Sequence, residues 1–222
     1  MKKNGFTLAE VLITLTIIGV IAALTLPSLM ANTAEQQART AVRKIANTMT
    51  MAAHLNATLA TYDYSGITKA SPTTDGTAAE EGSMTWLLQE RTAHQALKWA
   101  KPTAGGGVPA IVDTAVYFND GTAVYFKNNT LSANADVVTH GYPVIFDING
   151  AKGPNLLSSC TSAATVSAWA GDDAGDCSDK KKRFIKDQFM FRLRETTVTP
   201  IGAVSAFMFD ETHKAPTADE KY

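Results

Sequence analysis

Cysteine is almost absent: Cys160 and Cys177 are the only two in 222 residues. Neither belongs to a CxxC pair, so a zinc ribbon and a dithiol redox centre are both excluded. The histidines, His54, His94, His140 and His213, are scattered, and no HExxH, GxSxG or glycine-rich phosphate loop accompanies them. With no assembled catalytic set, the chain does not read as an enzyme. An excess of either charge is also missing, since 20 Lys and Arg stand against 21 Asp and Glu. That balance removes the broad basic surface that coating a nucleic acid requires. No internal repeat occurs. The sharpest absence is local: no charged residue falls between Val11 and Ala34.

That uncharged stretch covers about 24 residues, and a membrane-spanning helix needs about 20. No later segment compares with it, so the sequence reads as one span plus about 190 residues outside it, enough to bury a core. Lys2 and Lys3 precede the run, and basic flanks stay on the cytoplasmic face. Everything after Met30 is thereby placed outside the cytoplasm. Both cysteines lie in this exported part, where an oxidising compartment allows Cys160 and Cys177 to pair. Closing a loop of about 17 residues stabilises a fold by roughly 3 kcal/mol. One acid, Glu10, stands at the start of the run with no base inside the span. A secretory signal peptide has a shorter apolar region followed by a small-residue cleavage site. A plain anchor has the length, yet explains neither Glu10 nor Gly5 directly before Phe6.

Gly5-Phe6-Thr7-Leu8-Ala9-Glu10-Val11-Leu12 resembles the processing and methylation signature of type IV pilins and type II secretion pseudopilins. The match is dense from Lys2 to Leu29. The resemblance implies that a prepilin peptidase cuts between Gly5 and Phe6 and then methylates the new amine of Phe6. It implies a leader over 1–5, a transmembrane and polymerisation helix over 6–29, and an extracytoplasmic head over 30–222 that includes the second half of the long helix. It further implies that Glu10 of one subunit neutralises the Phe6 amine of a neighbour as a filament grows. Glu10 lies about 6 Å along a helix from Phe6. That is near the interface, where a carboxylate costs less than the roughly 2.5–3.5 kcal/mol of the bilayer centre. A charge pair in low dielectric is favourable only when both members are in place, so the acid would penalise a misplaced subunit. Gly19 and Pro27 match the family's helix-weakening glycine and proline, one lacking side-chain packing and the other a backbone donor.

The implied function is a structural subunit of a type IV pilus or a secretion pseudopilus. Its implied partners are copies of itself, other pilins or pseudopilins, prepilin peptidase, the inner-membrane assembly machinery and the lipid bilayer. Its implied location is the bacterial inner membrane, single-pass, with the head in the periplasm or on a surface filament. The alternative is a membrane-anchored binding or adhesion module, monomeric, whose head captures a ligand or exported substrate. Recovery of filaments by shear separates the two.

Past Pro27 the apolarity becomes one-sided. Ala41, Val42, Ile45, Ala46, Met49, Ala52 and Ala53 recur at intervals of three and four, with Glu35, Gln36, Arg39, Arg43 and Lys44 placed elsewhere. This predicts one helix continuing to about residue 61, some 84 Å from Phe6 at 1.5 Å per residue. Residues 68–82 read as a loop. Ser83 caps a short helix running to about residue 100, anchored by Trp86 and Trp99, and residues 101–109 form a breaker run. Strands are expected over 114–118 and 122–126 around the turn Asn119-Asp120-Gly121, then over 144–148 into Asn149-Gly150, and over 188–193 and 204–209. The fold class is α+β: a long N-terminal helix, membrane-spanning in its first half, packed on an antiparallel sheet of four to six strands in a pilin-like head.

Two further clusters carry chemistry. Asp147-x-Asn149-Gly150 opens like a calcium loop, and Asp172, Asp173 and Asp176 offer further oxygens. The helix-loop-helix calcium motif wants a glutamate where Ser158 stands, and Asn-Gly is a hairpin turn signal first. The turn is the preferred reading, and no cofactor other than this calcium candidate is expected. Lys180-Lys181-Lys182-Arg183 is the one dense basic run. It reads as solvated surface before it reads as a contact for DNA phosphates, so DNA is not an expected partner.

Overall fold

The computed structural model describes residues 5–60, 80–92, 114–126, 141–150, 152–153, 155–158, 185–194 and 196–210. In chain order the elements are α1 (Leu8–Ala60), α2 (Met84–Arg91), β1 (Thr114–Tyr117), β2 (Ala123–Phe126), β3 (Tyr142–Asp147), β4 (Gln188–Arg194), β5 (Thr197–Pro200) and α3 (Ala203–Phe209). The chain divides into two units, Met1–Gln37 and Ala38–Tyr222. The fold is α+β and pilin-like, a long N-terminal helix followed by a five-stranded antiparallel sheet.

In the first unit α1 exposes its side chains from Val11 to Met30 among the described residues, apart from a half-buried Ala22. Its hydroxyls turn inward instead. Thr14 donates to the Val11 carbonyl, Thr16 to Leu12, Thr25 to Ile21, Ser28 to Thr25 and Thr33 to Leu29. A helix in hydrocarbon must satisfy its polar groups internally, and these bonds do so. This helix is long and apolar enough to cross a membrane by length and composition.

In the second unit the stripe Ala38, Val42, Ile45, Ala46, Met49, Ala52 and Ala53 is buried. It packs with one face of the sheet, where Val124, Phe126, Val144, Phe146, Phe189 and Phe191 lie, and with Met84, Leu87 and Leu88 of α2. Phe146 and Phe191 stack at 4.4 Å between ring centroids. The opposite face carries a smaller core of Ala115, Ala123, Tyr125, Ile145, Met190 and Ile201. Strand order is β1-β2-β3-β4-β5, with every neighbouring pair antiparallel. The first hairpin closes as expected around Asn119-Asp120-Gly121. The Phe118 carbonyl accepts from Gly121 N at 3.1 Å, and Phe118 N donates to Thr122 O at 2.9 Å. Gly121, at φ +87°, takes the left-handed position that such a three-residue loop requires.

The structure corrects several expectations. Residues 204–209 form helix α3, not a strand. Gly202 at φ +82° breaks the extended run, Val204 and Met208 bury at i and i+4, and Ser205 Oγ accepts from Met190 N at 3.1 Å. α2 ends at Arg91 instead of near residue 100, because Thr92 is extended and turns its hydroxyl onto the Leu88 carbonyl. β3 starts at Tyr142 and ends at Asp147, instead of running from residue 144 to 148, and its first residues Tyr142 and Pro143 pair with Leu193 and Arg192 of β4. β5 was not anticipated. Arg39, placed by periodicity on the polar side, is buried: its Nη1 donates to the Phe207 carbonyl at 3.0 Å, and its guanidinium lies 3.8 Å from the Phe207 ring. Residues 93–100, with Trp99, lie outside the described residues.

Candidate functional site

The processing signature sits where α1 begins. Gly5 and Phe6 precede the helix, Phe6 is 89% exposed, and nothing stands within 4 Å of where a Gly5 Cβ would be. The Gly5–Phe6 bond is therefore exposed, within the short non-helical lead Gly5–Thr7 into α1. Thr7 is the residue before the first helical turn. Its backbone N and its Oγ1 each donate to Glu10 Oε2 at 2.8 Å, and Glu10 N donates back to Thr7 Oγ1 at 3.3 Å. This reciprocal arrangement is a capping box, in which two orphan N–H groups of a helix start are satisfied by side chains. Glu10 thus has partners inside its own chain. The reading of Glu10 as an acid awaiting a partner missed this, although Thr-x-x-Glu is the spacing that signals it.

The capping geometry has a second consequence. Glu10 Oε2 reaches Thr7 N, the atom next along the chain from Phe6. An amine created at Phe6 would form one residue from that carboxylate. Farther along, α1 is unbroken through Gly19 and Pro27. Gly19 meets no atom within 4 Å of a would-be Cβ. Pro27 withholds the N–H that the Ala23 carbonyl would otherwise receive.

The turn after β3 brings Asp147 and Asn149 together with a residue that sequence reasoning passed over, Asp187. Asp147 Oδ1 accepts from Asn149 N at 3.0 Å, and its Oδ2 accepts from Gln188 Nε2 at 3.0 Å. Asp187 accepts from Asn155 N at 2.6 Å, from Leu156 N at 2.7 Å and from Asn149 Nδ2 at 3.1 Å. Both acids are buried. Burial pushes the Asp147 carboxyl up to about 6 against the pull of Gln188 and Asn149, with the charge of Asp187 adding to the rise. Tyr125, buried beside it, is likewise pushed up, and its hydroxyl donates to the Gly150 carbonyl. These carboxylates are aimed at N–H donors, which is how a loop is tied down. Among the described residues no group of three or more His, Cys, Asp or Glu is arranged to hold a metal ion.

At the other hairpin, Lys44 Nζ meets Asp120 Oδ2 at 2.7 Å, and Asp120 Oδ1 accepts from Thr122 N and Oγ1. Burial opposes ionisation there, yet Lys44 and Thr122 together hold the Asp120 carboxyl below its ordinary range. Cys160, Cys177, Asp172, Asp173, Asp176 and the basic run 180–183 lie outside the described residues, as do His94, His140 and His213.

No curated protein and no solved structure matches the chain. Residues 1–26 match the family model described as the prokaryotic N-terminal methylation motif. The open Gly5–Phe6 bond, Glu10 at the helix start and the lipid-compatible helix behind them all fall on or beside those residues, and the chain carries the prepilin-type signature of type IV pilins and pseudopilins.

Proposed function

We propose that this protein is a pilin-like structural subunit. It is made as a precursor, cut by prepilin peptidase between Gly5 and Phe6, methylated at Phe6, and polymerised through α1 into a type IV pilus or a secretion pseudopilus. The observation that carries this reading is the methylation motif at residues 1–26, leading into the first half of α1, whose large apolar side chains from Val11 to Met30 are exposed among the described residues. A helix apolar on all sides is covered either by lipid or by other helices, and a filament core supplies the second. Residues 1–5 are the leader, 6–29 the transmembrane and polymerisation helix, and 30–222 the extracytoplasmic head.

Glu10 then serves two states. In the membrane its carboxylate is held by Thr7 at the helix start, which lowers the cost of carrying an acid there. In the filament it neutralises the Phe6 amine of a neighbouring subunit. Because the same carboxylate also lies close to its own N-terminus, assembly exchanges one set of partners for another and leaves no charge bare. Cys160 and Cys177 close a disulfide in the exported head. The deciding experiment is N-terminal mass spectrometry of the protein from a host with the assembly machinery. A chain beginning at N-methylated Phe6 supports the proposal, and a chain still beginning at Met1 overturns it.

A further inference from the structure

Asn149 is followed by Gly150, and the fold does not permit another residue at that second position. A Cβ there would lie 2.5 Å from the Gly121 carbonyl oxygen, and its φ is +61°. Asn149 is equally committed, bridging Asp147, Asp187 and the Gly153 carbonyl through its N and Nδ2. The structure thus requires a dipeptide that is chemically labile, because a glycine amide has no side chain to obstruct attack on the preceding asparagine. In that reaction Gly150 N loses its proton and bonds to Asn149 Cγ, the bond from Cγ to Nδ2 breaks, and ammonia departs. Water then opens the cyclic imide to aspartate or isoaspartate.

Each requirement of this reaction is opposed by the native geometry. The departing nitrogen is held by two acceptors, Asp187 Oδ2 at 3.1 Å and Gly153 O at 3.3 Å. Negative charge in the tetrahedral intermediate develops on Asn149 Oδ1. That atom is buried with no hydrogen-bond donor among the described residues, the reverse of an oxyanion hole. The attack requires Asn149 Cγ to swing onto Gly150 N, and the bonds from Asn149 N to Asp147 and from Asn149 Nδ2 to Asp187 hold both ends of the residue against that movement.

We propose that Asn149 is a deamidation site locked by the closed turn, with Asp187 as its positioning residue, so that opening of the turn is recorded irreversibly. The product would put a carboxylate against Asp187 where an N–H now sits, and isoaspartate would add a backbone atom to the turn. Either change prevents reclosure, so an opened head would be marked and kept open.

The unprocessed full-length chain in detergent provides its own reference, since Asn4-Gly5 is the same dipeptide. Deamidation at both positions is followed by peptide mass spectrometry at mildly alkaline pH, in buffer and in concentrated urea. The rate at Asn149 relative to Asn4 is expected to fall about a hundredfold on going from urea to buffer, the size of one oxyanion donor. The same ratio in both solvents overturns the proposal. Asp187→Asn, in a chain that still folds, is expected to raise the Asn149 rate toward its urea value, and an unchanged rate removes Asp187 from the lock. The wild-type comparison decides the central claim whether or not that variant folds.

Discussion

Glu10 and Asp147 are two hydrogen-bonded acids, one exposed and one buried, and they are stabilised differently. Glu10 shares three hydrogen bonds with Thr7 at a helix start. Thr7→Val deletes the hydroxyl and is expected to cost the first turn of α1 about 1 kcal/mol, read as faster hydrogen exchange at its opening amides in detergent. Glu10→Ala is expected to insert in the membrane and leave the head folded while sheared-filament yield collapses. In the proposed filament its loss would bury a neighbour's amine unpaired, at several kcal/mol. Wild-type yield at normal subunit level would remove Glu10 from assembly. Asp147 instead pays with its charge: its folded value is about 6 against an ordinary 3.8. As pH rises past 4 the unfolded chain ionises first, so this residue lowers head stability between about pH 4 and 6 and no further above that. The loss is at most about 3 kcal/mol by linkage. Asp120, shifted the other way, contributes stability that disappears as pH falls. Denaturant titrations of wild type and Asp147→Asn should therefore diverge across that interval, and parallel curves would contradict the assignment.

At the scale of elements, α3 shows what a linear reading misses. Its residues, Ala-Val-Ser-Ala-Phe-Met-Phe, are as suited to a strand as to a helix. The choice is made from outside, because α1 supplies the donors for its last carbonyls. Arg39 binds Phe207 O and Arg43 Nε binds Phe209 O at 2.9 Å. Hydrogen bonds from charged groups are worth about 1.5–3 kcal/mol each. Arg43→Ala is expected to loosen α3 by that order, and Arg39→Ala by more since the Phe207 stack goes too. Hydrogen exchange should show the loss in α3 before β2 and β3, and uniform loss would refute a local clasp. The hairpin around Asn119-Asp120-Gly121 and the stripe from Val42 to Ala53 were legible in the sequence because turn chemistry and helical period are local. The burial of Arg39, the closure by Asp187 and the identity of α3 were not, since each depends on a residue more than thirty positions away.

For the whole molecule, the coarse plan of helix then sheet could be read from where charge is absent and where turns fall. The N-terminal signature was legible because it is a continuous string, matched over residues 1–26. Protein exported by a competent host is expected to begin at N-methylated Phe6 and to carry one disulfide between Cys160 and Cys177. Non-reducing peptide mapping that finds both thiols free would refute the bridge. One feature of α1 bears on how such a subunit travels. The hydroxyls of Thr14, Thr16, Thr25, Ser28 and Thr33 all return to carbonyls of their own helix. Apart from the Ala23 carbonyl, which Pro27 leaves without its helical donor, this stretch makes little polar demand along its side. In the proposed assembly it would be an unkeyed shaft, free to turn and to be drawn lengthwise from lipid into a bundle of its own kind, with Glu10 near its tip as the group that would set where it stops.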